Sequence, residues 1–101
     1  MNDATITRLA DELYGALRSR ESVQPLTSRE PDLTLESAYA ISEQLLQKRL
    51  SDGEKLVGKK IGVTSKAVQR MLDVHQPDFG YLTDAMVYTN EDPVPISSQL
   101  I

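Results

Sequence analysis

The hydrophobic pattern of this chain changes from a helical to an alternating period after Asp52-Gly53, and that switch limits the folds open to it. Before the switch, apolar residues recur at helical steps. Ile6, Leu9, Ala10, Leu13 and Leu17 fall three or four apart, and Ala38, Ile41 and Leu45 form a second row widened by Tyr39, Leu46 and Leu50. After it, residues 56–63 alternate, with Val57, Lys59, Ile61 and Val63 set against Leu56, Gly58, Lys60 and Gly62. Two long N-terminal helices, then short strands around one short helix, predict an α+β fold.

Local signals set the boundaries. A first helix over 3–19 takes Asp3 as its N-cap, and Arg18 and Arg20 suit the negative end of its dipole. Pro25, Pro31 and Thr27-Ser28-Arg29-Glu30 make 21–32 an ordered loop. Thr34 caps the second helix, with Leu33 and Ala38 at hydrophobic-staple spacing and Glu36 in the first turn. Lys48 and Arg49 fill its last turn and Asp52-Gly53 stops it. Beyond the strand, Thr64-Ser65 caps a short helix carrying Val68, Met71 and Leu72. Residues 74–78 and 90–95 read as loops, and 79–82 and 85–88 as short extended runs, with Phe79 and Tyr81 in the core.

With 101 residues the chain is expected to form one domain. Fifteen acidic against 11 basic residues give a net charge of −4, which offers no electrostatic footprint for nucleic acid or an anionic membrane. No cysteine and a single histidine, His75, exclude disulfides, thiolate metal sites and histidine-rich sites. No apolar run approaches the ~20 residues of a membrane span. Met1-Asn2-Asp3-Ala4 lacks the basic and apolar regions of a signal peptide, so a cytoplasmic location is expected.

Two motifs fail on inspection. Gly53 to Lys60 imitates a phosphate-binding P-loop for seven positions, but Lys60 stands where a Ser or Thr must ligate magnesium, and the segment runs into a strand instead of a helix. Asp78-Phe79-Gly80 imitates a kinase magnesium motif without the catalytic loop or the length of a kinase.

Gly58-Lys59-Lys60-Ile61-Gly62 is more informative. Strand residues two apart share a face, so Lys60 stands between two positions that have no side chain, in a notch. One reading is a solvated lysine that guards an edge strand. The other is a lysine aimed into a cleft, where it holds an anionic substrate or moves a proton. Thr64-Ser65 either caps the following helix or meets an anion, and Asp78 is a turn carboxylate unless the fold brings it to Lys60. His75 reads as a loop or partly buried histidine.

Taken together, Gly58-Lys59-Lys60-Ile61-Gly62-Val63-Thr64-Ser65 and Gln76-Pro77-Asp78-Phe79-Gly80-Tyr81-Leu82 resemble the 2-hydroxypenta-2,4-dienoate hydratases (2-oxopent-4-enoate hydratases) of aromatic meta-cleavage pathways. These belong to the fumarylacetoacetate hydrolase-like superfamily, together with the 2-oxo-3-hexenedioate (4-oxalocrotonate) decarboxylases. Asp11-Glu12-Leu13-Tyr14, Pro25-Leu26-Thr27-Ser28-Arg29, Lys66-Ala67-Val68-Gln69 and Thr83-Asp84-Ala85-Met86-Val87-Tyr88 also fit the hydratase branch.

The resemblance implies that residues 1–101 are an N-terminal α+β domain. The family's metal-binding catalytic domain would follow the segment resembling Pro95-Ile96-Ser97-Ser98-Gln99-Leu100-Ile101, with an acidic pair spaced by one residue and a later glutamate as ligands. It implies hydration of a small dienol carboxylate to 4-hydroxy-2-oxopentanoate, with magnesium or manganese chelating the substrate carboxylate and 2-oxygen. It places Lys60 in the active site as the proton-moving or water-placing group and Asp78 beside it. Leu72 becomes an apolar pocket wall, and Thr64 and Ser65 become contacts to the substrate carboxylate. It further implies a homo-oligomer and a complex with the homologous decarboxylase. The alternatives are the decarboxylase chemistry itself, or a non-catalytic module that binds a homologous enzyme. The 101-residue chain alone is expected to be inactive.

Overall fold

A computed structural model describes residues 1–94. The segment 95–101, which the resemblance sets just before the metal ligands, lies outside the described residues. The elements run α1 (Asp3–Ser19), a 3₁₀ turn (Leu26–Ser28), α2 (Leu35–Ser51), β1 (Leu56–Gly62), α3 (Lys66–Leu72), β2 (Asp78–Thr83) and a second 3₁₀ turn (Asp84–Met86). This is the expected α+β order. The described residues divide into two compact units, one of residues 1–52 with 88–94, the other Gly53–Val87.

In the first unit, α1 and α2 meet along their apolar rows. Ile6, Leu9, Ala10 and Ile41 are buried together, and Met1, Leu13, Leu26, Leu33 and Ala40 pack against them. The cap of α1 differs from expectation by one residue. Asn2, not Asp3, holds the extended cap conformation and accepts from Thr5 N–H at 2.8 Å, and Asp3 lies in the first turn, where its charge suits the dipole. Thr34 caps α2 as expected, accepting from Ser37 N–H at 3.1 Å. The loop between the helices is held by side chains that reach back to α1: Arg29 to Glu12 at 2.6 Å and Arg8 to Glu30 at 3.0 Å.

The far ends of the two helices are joined through Asp52, the C-cap of α2. Its carboxylate accepts from the Tyr14 hydroxyl and, at 2.6 Å, from Arg18. Lys48 pairs with Asp11, and both Arg18 and Lys48 lie against the Tyr14 ring, at 5.1 and 5.8 Å from its centroid. The Tyr14 hydrogen bond, followed by Arg18, holds the Asp52 carboxyl below its ordinary value of 3.8. A carboxylate whose pKa is lowered by folding stabilises the fold fully above that ordinary value, and the contribution is lost as pH falls from there through the lowered folded-state value. Asp52→Asn is therefore expected to lower the thermal unfolding midpoint at neutral pH. The gap to wild type should narrow as pH falls below 3.8 and close only below the lowered folded-state value, where the carboxyl is protonated in both states. Calorimetry across that range checks it, and a gap that persists in acid contradicts it.

In the second unit, β1 and β2 form a two-stranded antiparallel sheet. The register pairs Gly58 with Leu82, Lys59 with Tyr81, Lys60 with Gly80, Ile61 with Phe79 and Gly62 with Asp78. A register shift between Leu56 and Gly58 leaves Val57 as an extra residue, so the simple alternation read from 56–63 holds only from Gly58 onward. Residues 85–88 do not continue as an extended run. Asp84 ends the strand instead, because its N–H donates to Lys55 O and its carboxylate accepts from Lys55 N–H, both at 2.9 Å, which turns the chain into Asp84–Met86. Phe79 is not a core residue among the described ones, and Val68, Met71 and Leu72 are exposed on α3.

Candidate functional site

The second unit brings two of the residues singled out in the sequence together. From Gly58 onward, Gly58, Lys60 and Gly62 share one sheet face with Leu82, Gly80 and Asp78, whereas Lys59, Ile61, Tyr81 and Phe79 lie on the other. On the first face Lys60 crosses diagonally to Asp78, with Nζ 3.5 Å from Oδ1. Lys59 instead lies along the Tyr81 ring at 5.8 Å.

The two residues between the charged ends are glycines. Gly80 lies directly opposite Lys60, and a Cβ there would stand 3.1 Å from Lys60 Cε. A Cβ on Gly62 would stand 2.7 Å from Asp78 Oδ1 and 3.8 Å from Lys60 Nζ. The notch read from Gly58-Lys60-Gly62 is thus completed by a glycine from the other strand, which strand spacing alone does not reveal. Glycine weakens a strand, so this face gives up stability around the lysine. The pair returns little of it. Both side chains are about half exposed, and such ion pairs contribute roughly 0–1 kcal/mol. What the arrangement offers is chemical: an ammonium with three donor directions and a carboxylate that orients it, set on an open surface that a small anion can approach closely.

Gly62→Ala is expected to displace the Asp78 carboxylate and spoil the diagonal. Should the pair serve a reaction in a longer protein, the substitution is expected to lower kcat by about 10- to 100-fold, the scale of an ångström-sized misplacement. Steady-state kinetics beside thermal unfolding checks this, and an unchanged kcat removes the steric argument.

The turn that leaves β1 is strained. Val63 has φ +54, a left-handed conformation that a β-branched residue rarely adopts. The Gln69 amide donates to Val63 O at 3.0 Å, and Gln69 is buried, so α3 braces the turn from inside. Neither this brace nor Gly80 stood out in the sequence, because both act on residues fixed only by tertiary contact. Ser65 caps α3, its Oγ accepting from Val68 N–H at 3.1 Å, and Thr64 beside it is exposed. Leu72 stands at the end of α3 and His75 in the following turn, both exposed. Among the described residues, no group of three or more His, Cys, Asp or Glu is placed to hold a metal ion.

No family model matches the chain. It is 60% identical over all 101 residues to a 2-hydroxypent-2,4-dienoate hydratase of Pseudomonas putida, covering 46% of that protein. The chain matches the N-terminal region of the dienoate hydratases. A 2-hydroxyhexa-2,4-dienoate hydratase of Comamonas testosteroni is 56% identical over 85 residues, 84% of this chain and 31% of that protein. A 2-oxo-hept-4-ene-1,7-dioate hydratase of Escherichia coli is 34% identical over 91 residues, 90% of this chain and 34% of that protein.

Among solved structures, the 4-oxalocrotonate decarboxylase from Pseudomonas putida G7, complexed with magnesium and adipate, superposes with a TM-score of 0.79. It is 26% identical, with 84% of this chain and 32% of that chain covered. The hydratase-like chain thus spans less than half the length of the curated relatives it matches. No helix among the described residues is long and apolar enough to cross a membrane.

Proposed function

We propose that this chain supplies the lysine-bearing part of a hydratase that adds water to 2-hydroxypenta-2,4-dienoate to give 4-hydroxy-2-oxopentanoate. The observation that carries the reading is the Lys60–Asp78 diagonal set between Gly62 and Gly80, in a chain 60% identical to a hydratase of that substrate class. Hydration of a conjugated dienol needs a proton delivered to carbon and a water placed for addition. Lys60 is the group for that proton or that water, and Asp78 orients its ammonium. Leu72 provides an apolar wall, and Thr64 and Ser65 contact the substrate carboxylate.

A divalent ion, magnesium or manganese, belongs to this reading. The solved decarboxylase neighbours are complexes with magnesium and with calcium, and hydratase sequence beyond the match would provide its ligands. The reading also carries a cytoplasmic homo-oligomer that associates with the homologous decarboxylase.

A second reading, decarboxylation of 2-oxo-3-hexenedioate, is favoured by the fold match to 4-oxalocrotonate decarboxylase, though at 26% identity it stands behind the hydratases. The test joins this chain to the unmatched remainder of the Pseudomonas putida relative and follows loss of dienol absorbance with magnesium present. The joined protein is expected to turn over the dienol and the 101-residue chain alone to show none. Turnover by the chain alone, or none by a folded joined protein, contradicts the reading.

A further inference from the structure

The second unit has no apolar core of its own. Its buried side chains among the described residues are Gln69 and Thr83, both polar, whereas Ile6, Leu9, Ala10, Ile41 and Leu46 all belong to the first unit. Its large apolar side chains are turned outward. On the sheet face opposite Lys60, Ile61 is 68% exposed, across from Phe79 at 47%. On α3, Val68, Met71 and Leu72 share one helical face at three- and four-residue spacing, and Met71 is 74% exposed.

Two strands and a two-turn helix are marginal in water without an apolar face to pack against. Exposed large apolar side chains grouped on a sheet face and on a helix face mark an interface. We propose that the Ile61 face of the sheet and the Met71 face of α3 dock against the remaining hydratase sequence, the part of the relatives' length that this chain does not span. The inference rests on the hydratase reading only for the identity of the occupant; it does not require activity.

Length argues for that occupant. The match covers 46% of the Pseudomonas putida hydratase and 31% of the Comamonas testosteroni protein, so in each more than half of the polypeptide lies outside the matched stretch. Being tethered, it meets this surface at an effective concentration that a second copy reaches only by association. The surface is also of the right kind. Its one cation on the sheet, Lys59, is laid along Tyr81, leaving an apolar centre around Ile61 that suits another domain's core-forming side chains.

Hydrogen exchange measured residue by residue tests the proposal in two proteins, the 101-residue chain and the same chain joined to the remainder of the Pseudomonas putida hydratase. In the chain alone, amides of β1 and β2 are expected to exchange on the order of 100-fold faster than the central amides of α1 and α2. In the joined protein the strand amides should slow by a similar factor. Ile61→Lys with Met71→Lys in the joined protein should abolish that slowing and leave α1 and α2 protected.

Equal strand protection in both proteins overturns the proposal. So does strand protection in the chain alone that rises with concentration alongside a dimer in sedimentation, since the occupant is then a second copy. Slowing that persists in the double variant overturns it as well. Dienol turnover, read on the same joined protein, separates the two claims: protection without turnover keeps the docking surface and defeats the hydratase reading.

Discussion

Lys60→Ala, placed in the chain joined to the remaining hydratase sequence, is expected to lower dienol turnover by about 10²- to 10⁴-fold, the range associated with a general acid–base group. Stability should hardly move. Lys60 and Asp78 are half exposed and 3.5 Å apart, so losing the pair costs no more than about 1 kcal/mol. Removing the lysine also leaves no buried charge behind, because Asp78 stays open to water. Lys60→Arg sharpens the result. Arginine keeps the positive charge but does not give up its proton, so it should preserve substrate affinity and fail to restore kcat. If arginine restores kcat, Lys60 binds charge and moves no proton. If alanine leaves kcat unchanged, Lys60 is a surface lysine on a sheet edge.

The largest stability effect should come from Leu9→Ala, in the other unit. Leu9 is fully buried and packs with Ile6, Ala10 and Ile41, the centre of the α1–α2 contact. Truncation removes its transfer free energy and leaves a cavity, for about 2–5 kcal/mol. Few other side chains are buried there to offset the loss, and small domains are stable by only about 5–15 kcal/mol. Urea unfolding of the 101-residue chain, followed by helical circular dichroism, should show the full effect. Leu72→Ala, at an exposed position, serves as the control and should stay within about 0.5 kcal/mol of wild type. A loss under about 1 kcal/mol at Leu9 would mean that the two helices do not pack as described.

Much of the fold was legible because the signals are local. The change of period at Asp52-Gly53 places the last helix residue and the first strand residue, and Gly53 has φ +101, as a helix stop requires. Thr34 and Ser65 cap their helices through backbone donors three residues on, a distance the sequence displays directly. Asn2 and Asp3 are both good caps, and spacing alone does not choose between neighbours.

What was not legible depends on residues distant in sequence. Gly80 meets Lys60 only through the strand register, and the shift at Val57 changes which faces the first strand residues share. The Gln69 brace depends on a left-handed Val63 that no propensity would place there. Phe79 alternates like a core residue, yet the described residues supply no core in that unit for it to enter. Binary pattern reports which face wants burial, and it does not report which polypeptide provides the burial.

The central claim, a hydratase lysine on an open glycine-flanked sheet face, is tested most directly by the two competing substrates. Turnover of 2-hydroxypenta-2,4-dienoate and of 2-oxo-3-hexenedioate should be measured on the same joined protein with magnesium, with products identified. Hydration to 4-hydroxy-2-oxopentanoate should be favoured in kcat/KM by at least about tenfold, or roughly 1.4 kcal/mol of transition-state discrimination. A preference of that size for decarboxylation of the dicarboxylate would contradict it.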